Sequence, residues 1–185
     1  SEIDELLERA KKRSKELNDT SKEVLDRARR IIEEISKTSE EVNKDLERII
    51  RELAEEIKRT RDRRVLDRIR REVRRVVKEV KEINERLLRE AERVARDVHR
   101  INEELVRRSE EVVKEVEDVL RRKVDDEKRV REVLKEVRRL HEEDRKRMKE
   151  SSEDVERLLT ELRKRMKEST DSVEKLLKEL EDRVR

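Results

Sequence analysis

The sequence predicts an all-α protein, an elongated up-down-up antiparallel three-helix bundle with near-zero supercoil and helices of roughly 60 residues. Three observations carry this. RMKESSEDVERLLTEL at 147–162 returns 18 residues later as RMKESTDSVEKLLKEL at 165–180, with 11 of 16 positions identical. Eighteen residues make about five helical turns, so each repeated residue returns to the same side of one helix. The apolar residues form three such stripes in succession. Finally, the chain has no Gly or Pro, and 58% of it is Asp, Glu, Lys or Arg. That alphabet favours helix and omits its two strongest disruptors.

The first stripe runs from Ile3 through Leu17, Ala28, Ile35, Leu46 and Ile49 to Ile57. At 100° per residue it keeps within one arc of about 120°. Continuing that phase past Thr60 meets Arg61, Arg64, Asp67 and Arg68, so the helix or its direction changes there, with Asp62 as the next N-cap. A second stripe runs from Val65 to Leu120. Its 18-residue period shows in Ile83-Asn84-Glu85, which recurs as Ile101-Asn102-Glu103. The break after it is read at Val124-Asp125-Asp126-Glu127, whose acids suit a helix start. The third stripe runs from Val130 to Val184.

The chain thus reads as a single helical-bundle domain, 1–185, with helices near 2–60, 63–122 and 126–184. Equal lengths and short connections favour antiparallel neighbours, and a relaxed 18-residue period predicts a straight rod, each helix about 90 Å long. Thr20-Ser21-Lys22-Glu23, Thr38-Ser39-Glu40-Glu41 and Ser151-Ser152-Glu153-Asp154 resemble capping boxes that would start shorter helices. The stripe keeps its phase across all three, which favours continuous helices.

Several polar residues fall inside the apolar arcs. They define a candidate buried network: Ser14, Ser21, Asn43, Asn84, Asn102, Ser109, His141, Asp144, Ser151 and Ser169, with Ser39, Ser152 and Thr170 on the same faces. In the up-down-up arrangement Ser14, Ser109 and His141 share a layer, Ser21 and Asn102 lie nearby, and Asn43, Asn84 and Ser169 approach a second layer. An unpaired buried hydroxyl or amide costs about 1–3 kcal/mol. Polar groups at one height satisfy each other and penalise every slipped register. If His141 gains a proton only by leaving its network, acid loosens the bundle.

The same residues admit a sharper chemistry, a Ser109–His141–Asp144 nucleophilic triad. No glycine-rich turn supplies an oxyanion hole and no loop forms a cleft, so the chain reads as a non-enzyme without catalytic residues. Two histidines without cysteine make no zinc site, and no cofactor motif is present. Arginine-rich Lys58–Arg75 holds ten basic and three acidic residues, but no aromatic for stacking on bases. Pairing with Glu174, Glu179, Glu181 and Asp182 of the third helix explains it better than nucleic acid. Net charge is only +3, no run reaches membrane-spanning length, and no targeting signal is recognised. The expected chain is soluble, and cytoplasmic if expressed recombinantly.

Equal helices, the 18-residue period, the Glu/Lys/Arg surface and sparse buried Ser, Asn and His residues together resemble parametrically designed (de novo) helical bundles with built-in hydrogen-bond networks. The likeness covers the whole chain, which departs from such designs in lacking loop glycines. It implies a thermostable structural scaffold with no natural activity, whose polar networks specify register. The alternative is an interaction module, whose groove is completed by a designed partner helix or a second copy. Spectrin-like tethers fit less well, since their tryptophan is missing. At the level of single residues, Ile49→Ala is expected to cost about 2–5 kcal/mol, and Ser109→Leu to keep or raise stability while loosening register.

Overall fold

The computed structural model describes residues 1–123 and 126–184, without the side chain of residue 123. Three α-helices account for nearly all of these: α1 (Glu2–Arg59), α2 (Arg63–Lys123) and α3 (Glu127–Val184). They have 58, 61 and 58 residues. None is interrupted at the capping-box look-alikes. Thr20 sits mid-helix and returns its hydroxyl to the Glu16 carbonyl at 2.9 Å, the usual solution for an interior threonine.

Each helix starts on a side-chain cap. Ser1 Oγ accepts the Asp4 N–H at 3.3 Å and donates to the Asp4 carboxylate at 2.9 Å. Asp62 Oδ1 accepts the Arg64 N–H at 2.9 Å. Asp126 Oδ1 accepts the Arg129 N–H at 3.2 Å. These bonds satisfy donors that the first helical turn leaves free. Of the second predicted break, Val124 and Asp125 lie outside the described residues. No described residue has a positive φ, so the described helix ends need no glycine. The arginines opening α2 also have a role: Arg63 Nη1 donates to the Val184 carbonyl at 3.1 Å, placing a cation on the electronegative end of α3.

The helices divide between two compact units. The first contains Ser1–Arg29 and Val94–Arg157. Asp4 meets Arg129 and Asn18 meets Asp144, so α1 and α3 run parallel there. Glu117 pairs with Arg138 and His99 with Glu156, so α2 runs antiparallel to α3. Its core is Ala10, Val116, Leu120, Val133 and Val137, and separately Leu17, Leu105 and Met148.

The second unit contains Arg30–Arg93 and the described residues from Leu158 onward. Arg74 meets Glu181 at 3.1 Å and Lys81 meets Glu174 at 3.0 Å, again antiparallel. The first of these pairs draws on the arginine-rich run, as its cross-helix reading expects. Leu46, Ile50, Ile57, Ile69, Val73, Val77, Val173 and Leu180 form the core of this unit. Ile50 is 2% exposed, whereas Ile49 is only half-buried. Both lie within the predicted arc, but Ile50 takes the inner position that the sequence reading gave to Ile49.

Candidate functional site: three buried polar networks

Two polar networks lie in the first unit. The larger is built on Asp144, 2% exposed. Its Oδ1 accepts from Ser14 Oγ at 2.7 Å and from Asn18 Nδ2 at 2.8 Å, both on α1. Its Oδ2 accepts from Ser109 Oγ on α2 at 3.0 Å. A carboxylate only accepts, so each of these three neighbours presents a proton to it. Removing such a group from water is expensive unless donors surround it. Three neutral donors from two neighbouring helices do this here.

His141 Nδ1 lies 2.9 Å from Ser109 Oγ. The only hydroxyl proton of Ser109 already points at Asp144, so Nδ1 carries the proton in this bond. The other ring nitrogen, Nε2, faces Glu110 at 3.9 Å. Adding a proton at Nε2 therefore breaks nothing and places the new charge beside a carboxylate. The expectation that protonation must cost His141 its network does not fit this geometry.

The same connectivity bears on acyl-transfer chemistry. In a nucleophilic triad the imidazole takes the serine proton and the carboxylate orients the imidazole. Here the carboxylate holds the serine proton directly, and the imidazole donates to serine. The adjoining cavity, lined by Ser14, Ser109, His141 and Asp144 among others, measures about 10 Å³. That is room for about one water molecule and not for a substrate.

The second network is linear. Ser21 Oγ donates to Asn102 Oδ1 at 2.9 Å, and Asn102 Nδ2 donates to Ser152 Oγ at 2.9 Å. Ser151, one of the candidate buried polar residues, is buried but its Oγ has no partner. Adjacent helical residues point about 100° apart, so only one of Ser151 and Ser152 can face Asn102.

The third network lies in the second unit and contains no ionisable group. Ser39 Oγ donates to Asn84 Oδ1 at 2.8 Å; Asn84 Nδ2 donates to Asn43 Oδ1 at 2.9 Å; Asn43 Nδ2 donates to Ser169 Oγ at 2.6 Å. All three helices contribute. Each asparagine uses its amide oxygen and its amide nitrogen, and no side-chain nitrogen or oxygen of these four residues is left buried without a partner.

Sequence reasoning missed Asn18. Its phase falls about 20° outside the α1 arc, yet the residue is 7% exposed. Its reach is longer than serine's, and Asp144 draws the amide inward. Its Oδ1 remains without a partner. His99 is half-buried with Nε2 at 2.7 Å from Glu156. Among the described residues no cluster of His, Cys, Asp or Glu is arranged to hold a metal ion, and no helix is long and apolar enough to cross a membrane.

Fold and buried networks together define a three-helix bundle whose polar core residues connect all of its helices. Among solved structures the chain is similar to a "Computationally designed three helix bundle", with a TM-score of 0.57 and 15% identity, over 99% of this chain and 89% of that one. No protein-family model matches the sequence, and no curated protein is similar to it.

Proposed function

We propose that the chain is a de novo structural scaffold without a natural biochemical activity, in which the buried polar networks specify helix register and topology. The observation that supports this best is the Ser39–Asn84–Asn43–Ser169 chain. Sliding any one helix by a turn, about 5.4 Å, strands at least two of these groups in hydrocarbon. Each stranded group costs about 1–3 kcal/mol. An all-apolar core lacks that penalty and tolerates neighbouring registers. Catalysis has no support from the Asp144 site, where the serine proton is already held by carboxylate. High thermal stability belongs to the same reading, since three long continuous helices bury one apolar stripe each.

The experiment compares Asn84→Ala with a variant in which Ser39, Asn43, Asn84 and Ser169 are all replaced by apolar residues. The single change leaves the Ser39 hydroxyl without its acceptor and Asn43 Oδ1 without its donor, and is expected to destabilise by about 2–4 kcal/mol. The fourfold change is expected to recover that loss or exceed it, while amide NMR signals broaden or multiply. Equal stability of Asn84→Ala and the wild type, or a fourfold variant as uniquely folded as the wild type, contradicts the proposal.

A second reading, an interaction module that associates with a partner helix or with its own copy, is favoured by one feature, the groove between α1 and α2 in the first unit.

A further inference from the structure

In the first unit α3 is tied to both neighbours by ion pairs: Arg129 to Asp4 of α1, and Arg138 to Glu117 of α2. Between α1 and α2 of this unit the described residues form no ion pair. A groove of about 750 Å³ opens there instead. Six charges sort by bank, Arg9, Lys12 and Arg13 on α1 and Glu111, Glu115 and Asp118 on α2, with one charge of the opposite sign at the same end of each bank, Glu16 and Arg108. All six are exposed, and none forms an ion pair. Between the banks lie apolar Leu6, Val112 and Val119, of which Val119 is 36% exposed.

A basic bank and an acidic bank of opposite sign flanking an apolar floor define a surface complementary to itself. Rotating a second copy by 180° about an axis lying along the groove sets its α1 against the first copy's α2 at equal height, and the reverse. Every basic bank then faces an acidic one, twice over, while Val119 and Leu6 of each copy are covered. This is the isologous arrangement that homodimers use, with flanking charges selecting the partner as they do in helical bundles.

We propose that this α1–α2 groove is a self-association surface whose occupant is the same groove of a second copy. The inference deepens the interaction-module reading and is independent of the register networks, which the Asn84 variants test separately. The groove lining runs from Leu6 to Glu16 on α1 and from Arg108 to Val119 on α2, about three helical turns or roughly 16 Å, which puts the contact at the small end of interface sizes. The dimer is therefore weak, with a Kd on the order of 10–100 µM, and it weakens further as salt screens the banks.

The test is sedimentation equilibrium at low ionic strength on three proteins. The wild type is expected to pass from one chain mass to two between about 1 µM and 1 mM. Reversing one bank (R9E, K12E, R13E) or the other (E111K, E115K, D118K) gives chains with two like-charged banks, each expected to remain monomeric. Mixed together, the two variants restore complementarity and are expected to form a heterodimer. Circular dichroism verifies that both keep their helices, and V119K at an exposed site provides a milder variant that is also expected to be monomeric. A wild type that stays monomeric to about 1 mM overturns the proposal, including one that stays monomeric yet binds an amphipathic peptide. So does association that both charge-reversed chains retain, or a mixture that fails to pair.

Discussion

Asn18 Nδ2 on α1 donates to Asp144 Oδ1 on α3 at 2.8 Å, across 126 residues of sequence. Ser14 reaches the same oxygen, and Ser109 on α2 reaches the other one. A carboxylate on α3 inside an apolar core thus serves as the common acceptor for donors from the other two helices. Replacing it by Ala strands three donors. Asp144→Ala is expected to lower the unfolding free energy by about 3–5 kcal/mol, read from chemical denaturation. A loss below about 1 kcal/mol would show that these bonds do little for the fold.

The two serines next to each other on α3 provide an internal control. Ser151 Oγ is buried without a partner, and Ser152 Oγ accepts from Asn102. Ser151→Ala removes an unsatisfied hydroxyl and is expected to leave stability equal or slightly higher. Ser152→Ala leaves the Asn102 amide short of an acceptor and is expected to cost about 1 kcal/mol. The reverse order in thermal melts would contradict the assignment of which serine faces inward.

Apolar positions can be ranked in the same way. Ile50 is packed among core residues of the second unit while Ile49 lies at its edge. Ile50→Ala is expected to cost about 2–5 kcal/mol, with Ile49→Ala clearly less. Equal losses would place the core boundary elsewhere.

Acid acts on the surface in a defined direction. The Arg129 guanidinium beside Asp4 holds that carboxyl below the usual carboxylate range, with Ser1 adding a second hydrogen bond. Arg139 does the same for Glu136. Both folded-state values are depressed, so any stability they contribute is present above the ordinary carboxylate range and is lost as pH falls through the depressed values. Asp4 is exposed and Glu136 lies partly covered at the surface, and solvent screens such pairs strongly. Asp4→Asn and Glu136→Gln are therefore expected to leave the melting temperature at pH 7 unchanged, and a clear drop would contradict this.

The helices and their packing faces were legible because an 18-residue period returns apolar residues to the same side of the helix. Asp62 as a cap was legible because its stripe stopped there. The bonding within the networks was not. Ser151 and Ser152 both fall within one 120° arc, and phase alone does not choose between neighbours about 100° apart. Asn18 lay outside its arc and was recruited by side-chain length and by a carboxylate on another helix. Whether Ser109 gives its proton to His141 or to Asp144 depends on the helix separation at that height. No helical phase encodes this.

The claim that polar networks fix register has a direct test in the second unit, where none of the network residues is ionisable. Spin labels at Lys44→Cys on α1 and Lys175→Cys on α3 occupy exposed positions on either side of the Asn43–Ser169 bond. Pulsed electron paramagnetic resonance then measures the distance between the helices. With the network intact, one narrow distribution is expected. With Ser39, Asn43, Asn84 and Ser169 all made apolar, the distribution is expected to broaden or to gain populations displaced by about one turn, 5.4 Å. An unchanged narrow distribution in the apolar variant would contradict the account.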